Sequence, residues 1–165
     1  MRLLKLFAVV ATLTGAAAAS AQADSSAWGP ETATRNLQAV LRPAAGGPAT
    51  GLGIVSFRQP KDAKKIVLLD VRVRGLVPNQ SYLLQRATDT SVDDDCTGTN
   101  WLTLGRGLDP RAIQTNNSAA GRAKLSRDLA TVPTGTQLDI HFRVIDAVTS
   151  AVVLESFCYQ FTVSQ

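Results

Sequence analysis

Apolar and polar residues alternate along most of this chain, in short runs separated by turn-forming clusters. Such a period of two marks strands with one buried and one wet face. Residues 34–41 predict a first strand, with Leu37, Ala39 and Leu41 on one side. The segment RPAAGGP (42–48) then turns the chain. Residues 51–59 predict a second strand, with Val55 and Phe57 inward and Ser56 and Arg58 outward. Residues 64–74 are the clearest: Val67, Leu69, Val71 and Val73 alternate with Leu68, Asp70, Arg72 and Arg74. Gly75, Pro78 and Asn79 break that run, and residues 81–86 restart it. Residues 121–127 place Ala123 and Leu125 inward, and residues 137–146 place Leu138, Ile140, Phe142 and Val144 on one face. A last strand is predicted over 152–163, with Phe157, Tyr159, Phe161 and Val163 on one side and Cys158 on the other. Between 89 and 118 the chain is mostly polar and shows little pattern beyond residues 101–104. Seven to nine short strands with regular turns predict an all-β fold, an antiparallel Greek-key sandwich or flattened barrel.

The amino terminus changes the picture of location. Arg2 and Lys5 precede an apolar stretch over 6–19, and Ala21-Gln22-Ala23 offers a small-x-small cleavage site before Asp24. Residues 1–23 thus read as a secretory signal, leaving residues 24–165 as one domain. The competing reading, a membrane anchor, meets an apolar part that is short and rich in alanine, with no second span after it. Losing Arg2 and Lys5 leaves 15 basic against 13 acidic side chains, a formal +2. That is too little for specific nucleic-acid binding. A secreted or periplasmic site is expected, with no transmembrane anchor.

One histidine and two cysteines exclude zinc fingers, iron–sulfur clusters and multi-histidine metal centres. In an oxidising compartment Cys96 and Cys158 form a disulfide by default, worth roughly 4 kcal/mol by loop entropy. Two buried free thiols are the alternative. The bridge would staple the long polar stretch, a length of loop that is usually functional or tied down. His141 falls on the polar side of its strand with Asp139 and Arg143; it reads as a surface histidine or a candidate metal ligand. Asp89, Asp93, Asp94 and Asp95 make an acidic loop. Asp89, Asp93 and Asp95 are calcium candidates against a solvated loop. The EF-hand pattern fails, since Asp94 stands where glycine is required and Asn100 where glutamate is required. No Gly-x-Ser-x-Gly elbow occurs. Trp28 and Trp101 could stack on sugars or simply pack, and Asn79 and Asn116 begin glycosylation-type triplets. Arg58, Arg72, Arg74, Arg122 and Lys124 all fall on outward positions. They are a candidate binding face for an anionic partner, or ordinary solubilising charge.

Five segments, in order, resemble the copper/zinc superoxide dismutases. LQAVLRP…GLGIVSFRQ (37–59) is similar to that family's first hairpin, and VLLDVRVRGLVPNQSY (67–82) to its third strand and glycine-leucine turn. DDDCTGTN (93–100) resembles the loop with its first disulfide cysteine, and NNSAAGRAKLS (116–126) the strand after its metal loop. LDIHFRVID (138–146) and LESFCYQFTVSQ (154–165) resemble its last two strands. The resemblance implies the fold, and it implies that the basic strands share one sheet. It does not carry the chemistry over. The paired copper histidines should fall near 81–85, which reads Ser-Tyr-Leu-Leu-Gln, and no histidine occurs over 96–115. Only His141 matches a copper-ligand position, and Glu155 stands where the resemblance expects a guiding arginine. One imidazole does not hold copper without further ligands. The expectation is a non-catalytic protein without cofactor, binding an extracellular or envelope partner. The alternatives are an altered metalloenzyme centred on His141, with Asp109 or Asp139 as helpers, and a purely structural envelope protein.

Overall fold

The computed structural model describes residues 36–60 and 65–164. The signal segment, Trp28 and the predicted strand ends at 34–35 and 64 lie outside the described residues. Three long strands open the fold: β1 (Asn36–Pro43), β2 (Leu52–Arg58) and β3 (Ile66–Arg74). β4 (Ser81–Asp89) follows, then four two-residue strands: β5 (Leu102–Thr103), β6 (Gly105–Arg106), β7 (Asp109–Pro110) and β8 (Ile113–Gln114). β9 (Gly121–Asp128), β10 (Gln137–Asp146), β11 (Val152–Ser156) and β12 (Tyr159–Thr162) complete it, and no described residue is helical.

The strands form one sheet in the order β5-β4-β10-β11-β1-β2-β3-β9-β6-β7, with β12 beside β10 and β8 beside β4. The sheet curls into a flattened, nearly closed barrel. Closure falls to residues 102–106. β5 pairs with β4, β6 pairs with β9, and Leu104 between them donates its amide to the Leu84 carbonyl at 2.8 Å. Gly105 is required there, because a Cβ would stand 1.6 Å from the Asp109 carbonyl oxygen. The β6–β9 pairing, Arg106 with Ser126, is parallel. The sheet is therefore mixed rather than wholly antiparallel, as expected of a chain that crosses between edges without a hairpin.

The inward positions are those the alternation selects. Leu37, Ala39 and Leu41 of β1, Val55 and Phe57 of β2 and all four alternating residues of β3 are buried. Ile140, Phe142 and Val144 face them from β10. Full burial of each large apolar side chain contributes about 1.5–3 kcal/mol. Tyr82 is buried too, and its hydroxyl accepts the Val77 amide at 3.1 Å, locking the turn into β4.

The last strand departs from expectation. It breaks at Phe157–Cys158, and Phe157 is 46% exposed rather than inward. Leu154 is the buried residue of β11, whereas Phe161 is the buried residue of β12, so the inward parity switches across the break. β11 lies between β1 and β10, but β12 pairs with β10 alone. The Tyr159 hydroxyl accepts the Val40 amide at 3.0 Å where the ladder with β1 has stopped. Phe157 turns out toward Arg42, whose guanidinium carbon lies 5.7 Å from the ring centre.

Candidate functional site

The outward positions of β10 include Asp139, His141 and Arg143, and residues 90–104 fold across them. Asp139 is fully buried. Its Oδ2 accepts the Asp93 and Asp94 amides at 3.0 and 2.9 Å. Its Oδ1 is buried without a partner among the described residues. Burial pushes the Asp139 carboxyl above its ordinary value, against the pull of those two amides. Cys96 and Cys158 are bonded, with Cα atoms 5.3 Å apart, tying the loop to the break between β11 and β12. Beyond the disulfide the Gly98 amide donates to Asp89 Oδ2 at 2.7 Å, and the Gly98 carbonyl meets His141 Nε2 at 3.1 Å.

Trp101 completes this layer. Its ring lies 4.5 Å from that of His141, and the Arg143 guanidinium carbon sits 3.9 Å over it. Arg143 Nε in turn donates to Gln85 Oε1 at 2.7 Å, and Gln85 Nε2 donates to Thr103 Oγ1 at 3.0 Å. Trp101 is thus a stacking residue inside the cover, in contact with both an imidazole and a cation.

The polar candidates of this region are engaged in holding the loop. His141 is half-buried rather than a surface residue. Asp93 Oδ1 accepts the Asp95 amide at 3.1 Å, and Asp94 Oδ1 accepts Gln160 Nε2 at 3.0 Å. Asp95 is exposed, and Asp109 is exposed in β7. Among the described residues no group of three or more histidine, cysteine, aspartate or glutamate side chains is arranged to hold a metal ion. Asp89, Asp93 and Asp95 therefore do not come together as a ligand set. Glu155 is exposed in β11 and pairs across the ladder with Arg42 and Arg143.

The opposite outer face belongs to β2, β3 and β9, which are neighbours in the sheet. Arg58, Arg72, Arg74, Arg122 and Lys124 are all exposed on it. Arg72 sits beside Arg122 in the register, and Asp70 beside Lys124. Asp128 ends the outward row of β9, and among the five cations lies Asp70. It accepts Arg122 Nε at 2.9 Å and Arg122 Nη2 in a close second contact, and Arg72 Nε lies 3.5 Å from its Oδ1. The Arg122 hydrogen bonds hold the Asp70 carboxyl below its ordinary value, helped by the charge of Arg72. Five cations against these two carboxylates leave a surplus of positive charge. A shallow depression of about 590 Å³ crosses this face, bordered by Gln38, Ser56, Arg58, Leu68, Asp70 and Lys124.

Two further cations were not singled out by their sequence context. Arg86 follows Tyr82 and Leu84 on the inward positions of β4, and Arg127 follows Ala123 and Leu125 on those of β9. The alternation itself carried the signal, but a charged residue near a strand end reads as fraying into solvent. No protein-family model, no curated protein and no solved structure matches this chain.

Proposed function

We propose that this chain is a secreted or periplasmic, non-catalytic binding protein on a copper/zinc superoxide dismutase-like scaffold. Its ligand is an anionic polysaccharide, carboxylated or sulfated, lying across the outer face of β2, β3 and β9. The observation that carries this reading is the exposed cluster of Arg58, Arg72, Arg74, Arg122 and Lys124 on three adjacent strands, with Asp70 among them and Asp128 at the end of β9 to offset it. Guanidinium groups match carboxylate and sulfate oxygens in paired hydrogen bonds. The depression beside Arg58 and Lys124 gives a chain of sugars a track.

The scaffold reading is supported by the ordered sequence segments and by the meander of β1, β2 and β3 with β9 beside β3. The disulfide from the loop after β4 to the final strands supports it as well. The non-catalytic reading rests on the histidine content, since His141 is the sole imidazole in the sequence. The extracytoplasmic reading rests on the signal pattern and on the disulfide.

The test is binding of the mature chain to immobilised dextran sulfate and to uncharged dextran over a range of salt. Dextran sulfate is expected to bind, weakening steeply as salt rises, and uncharged dextran is not. Replacing Arg72, Arg74 and Lys124 together with Gln is expected to weaken binding about tenfold or more. Salt-insensitive binding, or a triple variant that binds like its parent, removes the polysaccharide reading. Stoichiometric copper retained after desalting overturns the non-catalytic one.

A further inference from the structure

A cavity of about 290 Å³ opens between the two sides of the barrel at the end where β4 and β9 finish and β10 begins. Its depth can be read from burial. Leu69, Ile140 and Phe161 in its wall are almost fully buried. Arg86, Thr88 and Arg127 are half-buried, and Thr90 is exposed. The interior is therefore apolar and the rim polar and cationic. Phe57 and Phe161 meet edge to face inside, ring centres 4.5 Å apart.

The two arginines are unusual for their positions. Each continues the core-facing row of its strand, where a barrel needing only stability would carry valine or leucine. Among the described residues neither guanidinium has a carboxylate within ion-pair distance, since both ion pairs found there belong to Asp70. Arg86 Nη1 donates to Thr88 Oγ1 at 2.9 Å, which leaves most of its donors without a charged acceptor. Burial, and then the charge of Arg127, hold Arg86 below the ordinary guanidinium range. Two cations crowded at an apolar rim disfavour one another, and an anion between them removes that penalty. The rim is also held in place. The Leu129 amide donates to the Lys65 carbonyl at 3.0 Å, Lys65 Nζ to the Val132 carbonyl at 3.2 Å and the Gly135 amide to the Val163 carbonyl at 2.8 Å.

We propose that this end of the barrel binds a single-chain alkyl carboxylate, its tail inside the cavity and its head group on Arg86 and Arg127. The volume sets the chain length. At roughly 30 Å³ for a water-sized group, the space takes about eight to ten heavy atoms. A carboxylate is the smallest head that accepts from two guanidinium groups at once. This site is separate from the outer basic face and does not depend on polysaccharide binding there.

The experiment is calorimetric titration of the mature protein with decanoate, decanol and acetate, all below micelle-forming concentrations. Decanoate is expected to bind at one saturable site, decanol about tenfold or more weaker, and acetate not measurably. Arg86→Gln and Arg127→Gln are each expected to weaken decanoate about tenfold while leaving decanol unchanged. Arg111→Gln, at an exposed position outside the cavity lining, is expected to change nothing. Equal affinity for decanoate and decanol overturns the proposal, as does the absence of saturable decanoate binding. If a rim variant does not fold, the comparison of the three probes on the parent protein decides the matter alone.

Discussion

The barrel has two broad outer faces written in the same alternating pattern, and they have opposite fates. Over β4 and β10 the polar row is roofed by residues 90–104, and its members meet the roof: Asp139 at two amides, His141 at a carbonyl, Gln85 at Thr103 and Arg143 at the Trp101 ring. Over β2 and β3 the polar row stays in solvent, and only Asp70 ties its cations together. An outward position therefore specifies a side of the sheet and not an environment. The two aspartates show this most directly. Asp139 is buried under the roof and its carboxyl is raised; Asp70 lies among arginines and its carboxyl is lowered.

The largest expected effect comes from cutting the roof loose. Replacing both Cys96 and Cys158 with Ser should lower the free energy of unfolding by about 4 kcal/mol in urea titrations. Amide exchange should quicken at Asp93, Asp94 and Gly98, while β2 and β3 keep their protection in proportion to the remaining stability. Equal local loss on both faces would mean that the roof is not a separate layer.

A smaller effect separates the faces by side chain. Trp101→Ala removes a stacked, half-buried ring and should cost about 2 kcal/mol. Arg74→Ala on the bare face should stay within about 0.5 kcal/mol of the parent. Similar costs for the two would break the contrast.

The smallest effect is a difference of sign with pH. Because the Asp139 carboxyl is raised, the folded chain keeps a proton that the unfolded chain gives up near 3.8. Stability is then lost as pH rises from below that value through the raised one, so Asp139→Asn should gain on the parent over that window. Asp70 is the reverse. Its contribution is present above 3.8 and is lost as pH falls through its lowered value, so Asp70→Asn should fall behind the parent as pH rises toward 4. An exposed pair of this kind is worth under about 1 kcal/mol. Differences in urea midpoint from the parent, measured across acid pH, should slope in opposite directions for the two variants; parallel differences would deny the roof its effect on Asp139.

Much of this was legible before any coordinates. The strand over 137–146 and the inward rows of β1, β2 and β3 follow from period two alone. The outward cations do fall on neighbouring strands. Other features were out of reach. Two-residue strands such as β5 and β6 have no period to detect. The break at Phe157 hides because the residues on either side of it keep alternating while their inward parity changes. The burial of Asp139 depends on amides 45 and 46 residues away in the chain.

By itself the sequence determined which side of most long strands is apolar, which two sulfurs would pair and which rows would carry charge. These are local or compositional properties, set by the two-residue repeat of an extended backbone and by having only two cysteines. The tertiary structure alone decided which outer face is roofed, how the barrel closes through residues 102–106 and that Arg86 and Arg127 meet at one apolar opening. Each of those depends on contacts between distant segments, and alternation along a strand carries no information about what will fold across it.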